Sequence, residues 1–190
     1  MARYGKEHKE ATRRRIVEAA GRRFKRDGID RSGIATLMAD AGLTNGAFYA
    51  HFESKDDLVA TAVADQLREQ RESFWERPGA EVEQLVRDYL SVRHRDDPER
   101  GCPSAALLDE IGRCPTSTKQ AYTDGMLSIA DEIAARLAPD DPESERATTL
   151  SLFALLIGTL QLSRALADRQ LADEVLERGL ENALALLHRT

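Results

Sequence analysis

Cysteine is scarce. Two residues, Cys102 and Cys114, occur in 190, too few for the disulfide framework of a small secreted domain. Both thiols are expected reduced and the protein cytoplasmic. Six prolines and twelve glycines fall mostly between periodic segments, which leaves room for long helices. No run of eighteen uninterrupted apolar residues offers a membrane span, and the leading MARYGKEHKE lacks the apolar centre of a signal peptide. GxGxxG, P-loop, GxSxG and HExxH signatures are all missing. His94, Cys102 and Cys114, with seven and eleven residues between them, match no compact ligand spacing. No enzyme, metal or cofactor is expected.

Charge is plentiful but uneven. The chain holds 27 Lys/Arg against 33 Asp/Glu, a net charge of −6. Residues 1–31 hold 11 against 5, a balance of +6, so residues 32–190 hold 16 against 28, a balance of −12. A basic leading segment on an acidic body suits a protein that meets DNA at one end. The plainer alternative is that these arginines and lysines only solvate a helix.

Apolar spacing predicts an all-α chain of about nine helices. Ile16, Val17, Ala20 and Phe24 mark the first, over 9–27, ended by Gly28. Ser32 can cap a second, marked by Ile34, Leu37, Met38 and Ala41 and stopped by Gly42. Thr44 can cap a short third helix whose Phe48 and Phe52 share a buried face. Asn45, Gly46, Ala47, Tyr49 and His51 then face outwards, as in a helix-turn-helix whose second helix enters the major groove. Ser54 and Asp57 form a capping box for a fourth helix running to Trp75, with Arg77-Pro78-Gly79 as its stop. Further helices are predicted at about 80–94, around Ala105–Ile111, over Tyr122–Leu137, from Pro142 (capped by Asp141) to Asp168, and from Leu171 to Leu187. A polar stretch runs from Arg95 to Gly101.

The helix from Pro142 is apolar nearly all round, and such a helix must be covered on two sides. Pairing of the last two helices across a twofold axis would cover them. Leu152, Leu156, Leu160, Leu176, Leu180 and Leu184 make the expected stripes, with Gly158 at a close crossing. The alternative is ordinary core.

The stretch Ala41-Gly42-Leu43-Thr44, Gly46-Ala47-Phe48-Tyr49, His51-Phe52, Lys55 and Leu58 resembles the DNA-binding domain of the TetR/AcrR family of transcriptional regulators. Gly33 stands where the family often has Ser or Thr, Met38 where alanine is common, and Ala35 offers no polar group. The resemblance implies a three-helix reading head, residues 1–54, on a ligand-binding and dimerisation domain, residues 55–190. It implies operator contacts at Ser32, Gly33, Thr44, Asn45, Gly46, Ala47, Tyr49, His51 and Lys55. Tyr49, His51 and Lys55 would meet phosphates, while Asn45 and Ala47 could meet bases. It also favours a homodimer through the last two helices.

A small-molecule cavity could draw on Phe74, Trp75, Tyr89, His94, Leu107, Tyr122, Met126 and Phe153, which equally suit a helical core. The expected function is a ligand-responsive regulator, a repressor released from double-stranded operator DNA by an unidentified small molecule. Its rival is a DNA-binding structural or adaptor protein with the same head and no inducer. Cys102 could sense electrophiles, but a small buried hydrophobe is the favoured reading.

Overall fold

The first helix owes its length to one apolar stripe. In the computed structural model, which describes residues 2–75 and 81–188 and side chains from residue 7, α1 runs Ala2–Asp27. It starts earlier than the spacing predicts. Ile16, Ala20 and Phe24 are fully covered. Gly28 ends it at φ +90, its N–H donating to Phe24 O at 2.8 Å. Only glycine takes this left-handed turn cheaply.

Ser32 does not cap α2 (Ile34–Asp40). The cap position is Gly33, in extended backbone and with no side-chain bond. Ser32 is buried, and its hydroxyl donates to Gly28 O at 2.7 Å. A serine in a tight connector satisfies the nearer carbonyl first. Gly42, at φ +67, closes α2 as expected. Leu43 N–H donates to Met38 O and Gly42 N–H to Ala39 O, each at 2.9 Å, which is the Schellman pattern.

The next element is a six-residue 3-10 helix, Asn45–Ala50, rather than an α-helix. Thr44 precedes it without a side-chain cap. Phe48 and Phe52 are buried as the spacing predicts, their ring centroids 5.7 Å apart. The Arg13 guanidinium stacks 4.6 Å above Phe52.

Ser54 caps α3 (Lys55–Trp75) as expected, while the return bond of the box goes to Glu53 rather than to Ser54. Asp57 N–H donates to Ser54 Oγ at 3.1 Å, and the Asp57 carboxylate accepts from Glu53 N–H at 3.1 Å. Arg77-Pro78-Gly79 lies outside the described residues.

The expected helix at 80–94 is two: α4 (Val82–Tyr89) and α5 (Val92–Asp96). Ser91 breaks it. Its hydroxyl donates to Asp88 O at 2.7 Å and accepts from His94 N–H at 3.2 Å, so it ends one helix and caps the next. A 3-10 turn, Pro98–Arg100, leads to α6 (Pro103–Arg113) and α7 (Thr116–Leu137). A second, Pro142–Glu145, leads to α8 (Arg146–Ala165). Asp141 gives it no side-chain cap. Asp168 instead caps α9 (Arg169–Leu187), accepting from Gln170 and Leu171 N–H. Among the described residues there is no strand. One apolar cluster runs from Ile16 to Ala183, and α3 packs chiefly on α7, α8 on α9.

The stretch Pro142–Ala165, with mean hydropathy 1.2, is long and apolar enough by composition to cross a membrane. The chain itself buries 39% of that window, and Thr149, Thr159 and Ser163 are buried with its leucines. A face of Ala147, Leu150, Ala154, Gly158 and Leu162 remains exposed. Of the residues expected at a dimer interface, Gly158 lies on this face and the leucines do not. Leu152, Leu156, Leu160 and Leu176 are buried in the chain's own core, with Leu180 and Leu184 half-buried against it. Alternate stripes of one apolar helix look alike in sequence, and the packing of α7 and α9 selects which turns inward.

Gly158 meets nothing within the chain. The tight α8–α9 crossing is at Gly179, where an added Cβ would stand 2.2 Å from Thr159 Cγ2. Gly179→Ala is expected to lower stability by about 1–3 kcal/mol through overpacking. Combining it with Thr159→Ala should recover part of the loss, as read from urea unfolding of the four forms.

Candidate nucleic-acid interface and neighbouring cavity

An exposed edge forms where α2, the 3-10 helix and the start of α3 meet. Gly33, Thr44, Asn45 and Gly46 are exposed on it, and Ala47 is half-buried. No atom of the chain crowds Gly33 or Gly46 within 4 Å of an added Cβ, so backbone there is open to close approach. Tyr49 is 70% exposed although its neighbour Phe48 is fully covered. The two rings meet edge to face at 5.2 Å. A buried anchor beside a projecting phenol fixes where the phenol can reach.

His51 is half-buried, and among the described residues its Nδ1 has no partner. Burial pulls its pKa below the ordinary histidine value, and Lys9 and Arg13 on α1 pull the same way. Lys55 donates from Nζ to Ile29 O at 2.6 Å. That bond ties α3 to the α1–α2 connector and leaves two N–H groups on the ammonium. Ser32, buried and bonded to Gly28 O, has no side chain on this edge. Its expected contact is thereby corrected.

The basic segment divides. Arg14 and Arg15 are exposed. Arg23 pairs with Asp27 and Asp40, holding α1 to α2, and Arg26 with Asp27. Spacing within α1 could not reveal partners on another helix.

Beside the head lies a cavity of about 470 Å³. Tyr89, His94 and Phe74 line it, as expected of them, together with Cys102, Gln66, Gln70 and Lys25. The other candidates are elsewhere. Trp75 sits beneath Arg136, whose guanidinium is 3.7 Å from the ring centroid. Leu107 and Phe153 are core. Tyr122 donates from Oη to Ser104 Oγ at 3.1 Å, and Met126 packs on the core. Large apolar side chains fill the body, so the space is left to polar residues that looked solvated. Gln66 and Gln70, four apart on α3, were the available signal.

His94 is a strut. Its Nε2 accepts from Cys102 N–H at 2.9 Å, so Nδ1 carries the proton and donates to Tyr89 O at 2.7 Å. Burial lowers its pKa to about 4. The Cys102 thiol is buried, and burial pushes the half-buried Cys114 thiol upward. Cys102 is not exposed, and Cys114 is held toward its protonated form, unlike the exposed thiolates of reactive sites. Among the described residues no group of three His, Cys, Asp or Glu side chains could hold a metal ion.

Known proteins share this arrangement. The family model described as "Bacterial regulatory proteins, tetR family" matches residues 16–62, from the stripe of α1 into α3. Residues 16–62 are thus the DNA-binding head of a TetR-family regulator. It is 28% identical over 185 residues to the HTH-type transcriptional regulator TtgR of Pseudomonas putida, covering 88% of this chain and 87% of that protein. It is 44% identical over 69 residues to the probable regulator ArpR of the same species, covering 36% of this chain and 32% of that one. The crystal structure of a TetR-family regulator from Cytophaga hutchinsonii shares the fold, with a TM-score of 0.74 at 18% identity over 96% of this chain and 98% of the other. With that head, the chain is a DNA-binding transcriptional regulator. The family's DNA-binding form is a homodimer.

Polar ties hold the head of this regulator to its body and brace the body segment that they meet. The Glu110 carboxylate on α6 accepts from Ile29 N–H at 2.7 Å and Asp30 N–H at 3.1 Å. Lys25 on α1 donates from Nζ to Gly101 O at 2.9 Å. Arg164 on α8 donates to the carbonyls of His94, Arg95 and Ala105 at 2.6, 3.0 and 3.1 Å. The segment from His94 to Ala105 is thus gripped from both sides.

Removing the Glu110 carboxylate leaves two backbone donors without it. Glu110→Ala is expected to cost about 1.5–3 kcal/mol, as for hydrogen bonds to a charged group, and Glu110→Gln less. Hydrogen exchange at the Ile29 and Asp30 amides should speed up first, ahead of amides in α8.

Proposed function

We propose that this regulator is a repressor that binds a twofold operator as a homodimer and leaves it when a small molecule occupies the cavity. The observation that carries the reading is the exposed edge of the short helix: a projecting Tyr49 on a buried Phe48, beside open backbone at Gly33 and Gly46. Residues 1–54 form the head and residues 55–190 the body. Tyr49, His51 and Lys55 contact phosphates, which set register. Asn45 and Ala47 reach base edges, which give sequence. Thr44, Gly33 and Gly46 admit the backbone closely. Acting on chromosomal DNA, the protein works in the cytoplasm.

The dimer uses the outer face of α8. Leu150 and Leu162 are 38% and 52% exposed, with Ala154 and Gly158 between them, and Leu171 on α9 is 44% exposed. Small residues at the centre of such a stripe let a twofold copy approach closely. The cavity favours an inducer over the adaptor alternative, which needs none. Ligand occupancy shifts the dimer only by its differential affinity for the released form.

Operator DNA selected from a random-sequence pool should be a twofold repeat, with half-sites about 34–36 Å apart or a multiple of that. On that DNA, Tyr49→Phe should weaken binding by about 0.5–1.5 kcal/mol with an unchanged melting temperature. Lys55→Ala should reduce the salt slope of log affinity by about one. Unaltered affinity and slope would remove the phosphate contacts. Leu162→Glu should give a folded monomer by light scattering that no longer binds operator. A dimer that binds normally would place the interface elsewhere.

A further inference from the structure

The cavity opens onto the reading head itself. Lys25 belongs to α1, the same helix that supplies Ile16 and Ala20 to the core of the head. One turn earlier on α1 stands Gly21, and the amide of Gln66 packs over it so closely that an added Cβ would lie 2.3 Å from Nε2. The head thus lines the cavity through Lys25, and the body through α3 and the Asp88–Cys102 stretch.

The polar groups there are incompletely satisfied. Lys25 Nζ has one hydrogen bond, to Gly101 O, and among the described residues no carboxylate within ion-pair distance. Burial pulls this ammonium down to about 8, although Cys102, Glu69, Asp97 and Glu99 pull it back up. Among the described residues the Gln66 and Gln70 Oε1 atoms are buried without a partner. Gln66 is itself more than nine-tenths covered. A half-buried cation wants an anion, and orphaned amide oxygens want donors. Phe74 and the Tyr89 ring supply an apolar wall.

We propose that the cavity binds a small organic carboxylate bearing hydroxyl or N–H donors, its carboxylate pairing with Lys25 and its donors meeting Gln66 and Gln70. The effector thus touches α1 directly and competes with Gly101 O for the lysine that ties the head to the body. This rests on the reading of the chain as a ligand-released regulator and names the ligand's class.

Isothermal titration of the full chain with para-hydroxybenzoate, para-hydroxybenzamide and para-hydroxybenzylamine compares an anion, a neutral molecule and a cation on one ring. The benzoate should bind about tenfold more tightly than the amide, as a charge-assisted bond requires, and the amine should not bind. Lys25→Met should bring the benzoate down to the affinity of the amide. An amide or amine that binds as well as the benzoate overturns the proposal. So does an anion preference that survives Lys25→Met, or an absence of heat with all three. Should Lys25→Met fail to fold, acetylation of the wild-type chain decides. Saturating para-hydroxybenzoate should protect Lys25 from acetic anhydride while exposed Lys119 stays reactive, and an unprotected Lys25 overturns the site. These readouts need no DNA. If the benzoate binds at Lys25 and operator binding is unchanged, the site stands and ligand release fails. If other compounds release operator without protecting Lys25, release stands and this site fails.

Discussion

A six-residue helix cannot hold itself together. Its few backbone bonds do not repay the cost of nucleation, so the Asn45–Ala50 turn depends on two rings. Phe48 and Phe52 are sealed into a core shared with Ile16, Ala20, Leu37 and Met38, and Arg13 covers Phe52 from above. Everything exposed on the reading edge, Tyr49 above all, owes its position to that burial. The Schellman turn at Gly42 and the cap at Ser54 set the angles at which the chain enters and leaves.

The His94–Ala105 segment is the second place where one set of contacts governs many. Irregular backbone leaves carbonyls without helical donors, and buried carbonyls need partners. Arg164 supplies three from α8, Lys25 one from α1, and His94 closes the turn onto Cys102. Each donor that satisfies this segment also couples it to a larger element. The segment beside the cavity is therefore bonded to the head through Lys25 and to the outer helix through Arg164. Arg95, buried in the same segment and bound to Asp96 and to Asp173 on α9, adds a third coupling.

Helix α8 has two faces with two fates. Its inner leucines pack on the chain, and Thr159 fits against Gly179 so closely that only glycine is accommodated. Its outer face, with Leu150, Gly158 and Leu162, stays open. The apolar excess first visible as composition is thus half core and half surface, and the open half is what a twofold partner would cover.

The local parts follow from short stretches of the chain. Glycine at Gly28 and Gly42, the Ser54 cap and the Phe48–Phe52 spacing act within a few residues, and each is realised where its pattern lies. The reading edge was legible for the same reason, since a short helix with two buried rings has only one other side. Tertiary structure decided whatever depends on residues far apart. It sent Leu152, Leu156 and Leu160 into the core rather than outward. It also brought Lys25, Gln66 and Cys102 to one cavity. Spacing along a helix specifies which residues share a face. Only the packing of the other helices selects the face that is covered and the polar groups that are left without partners.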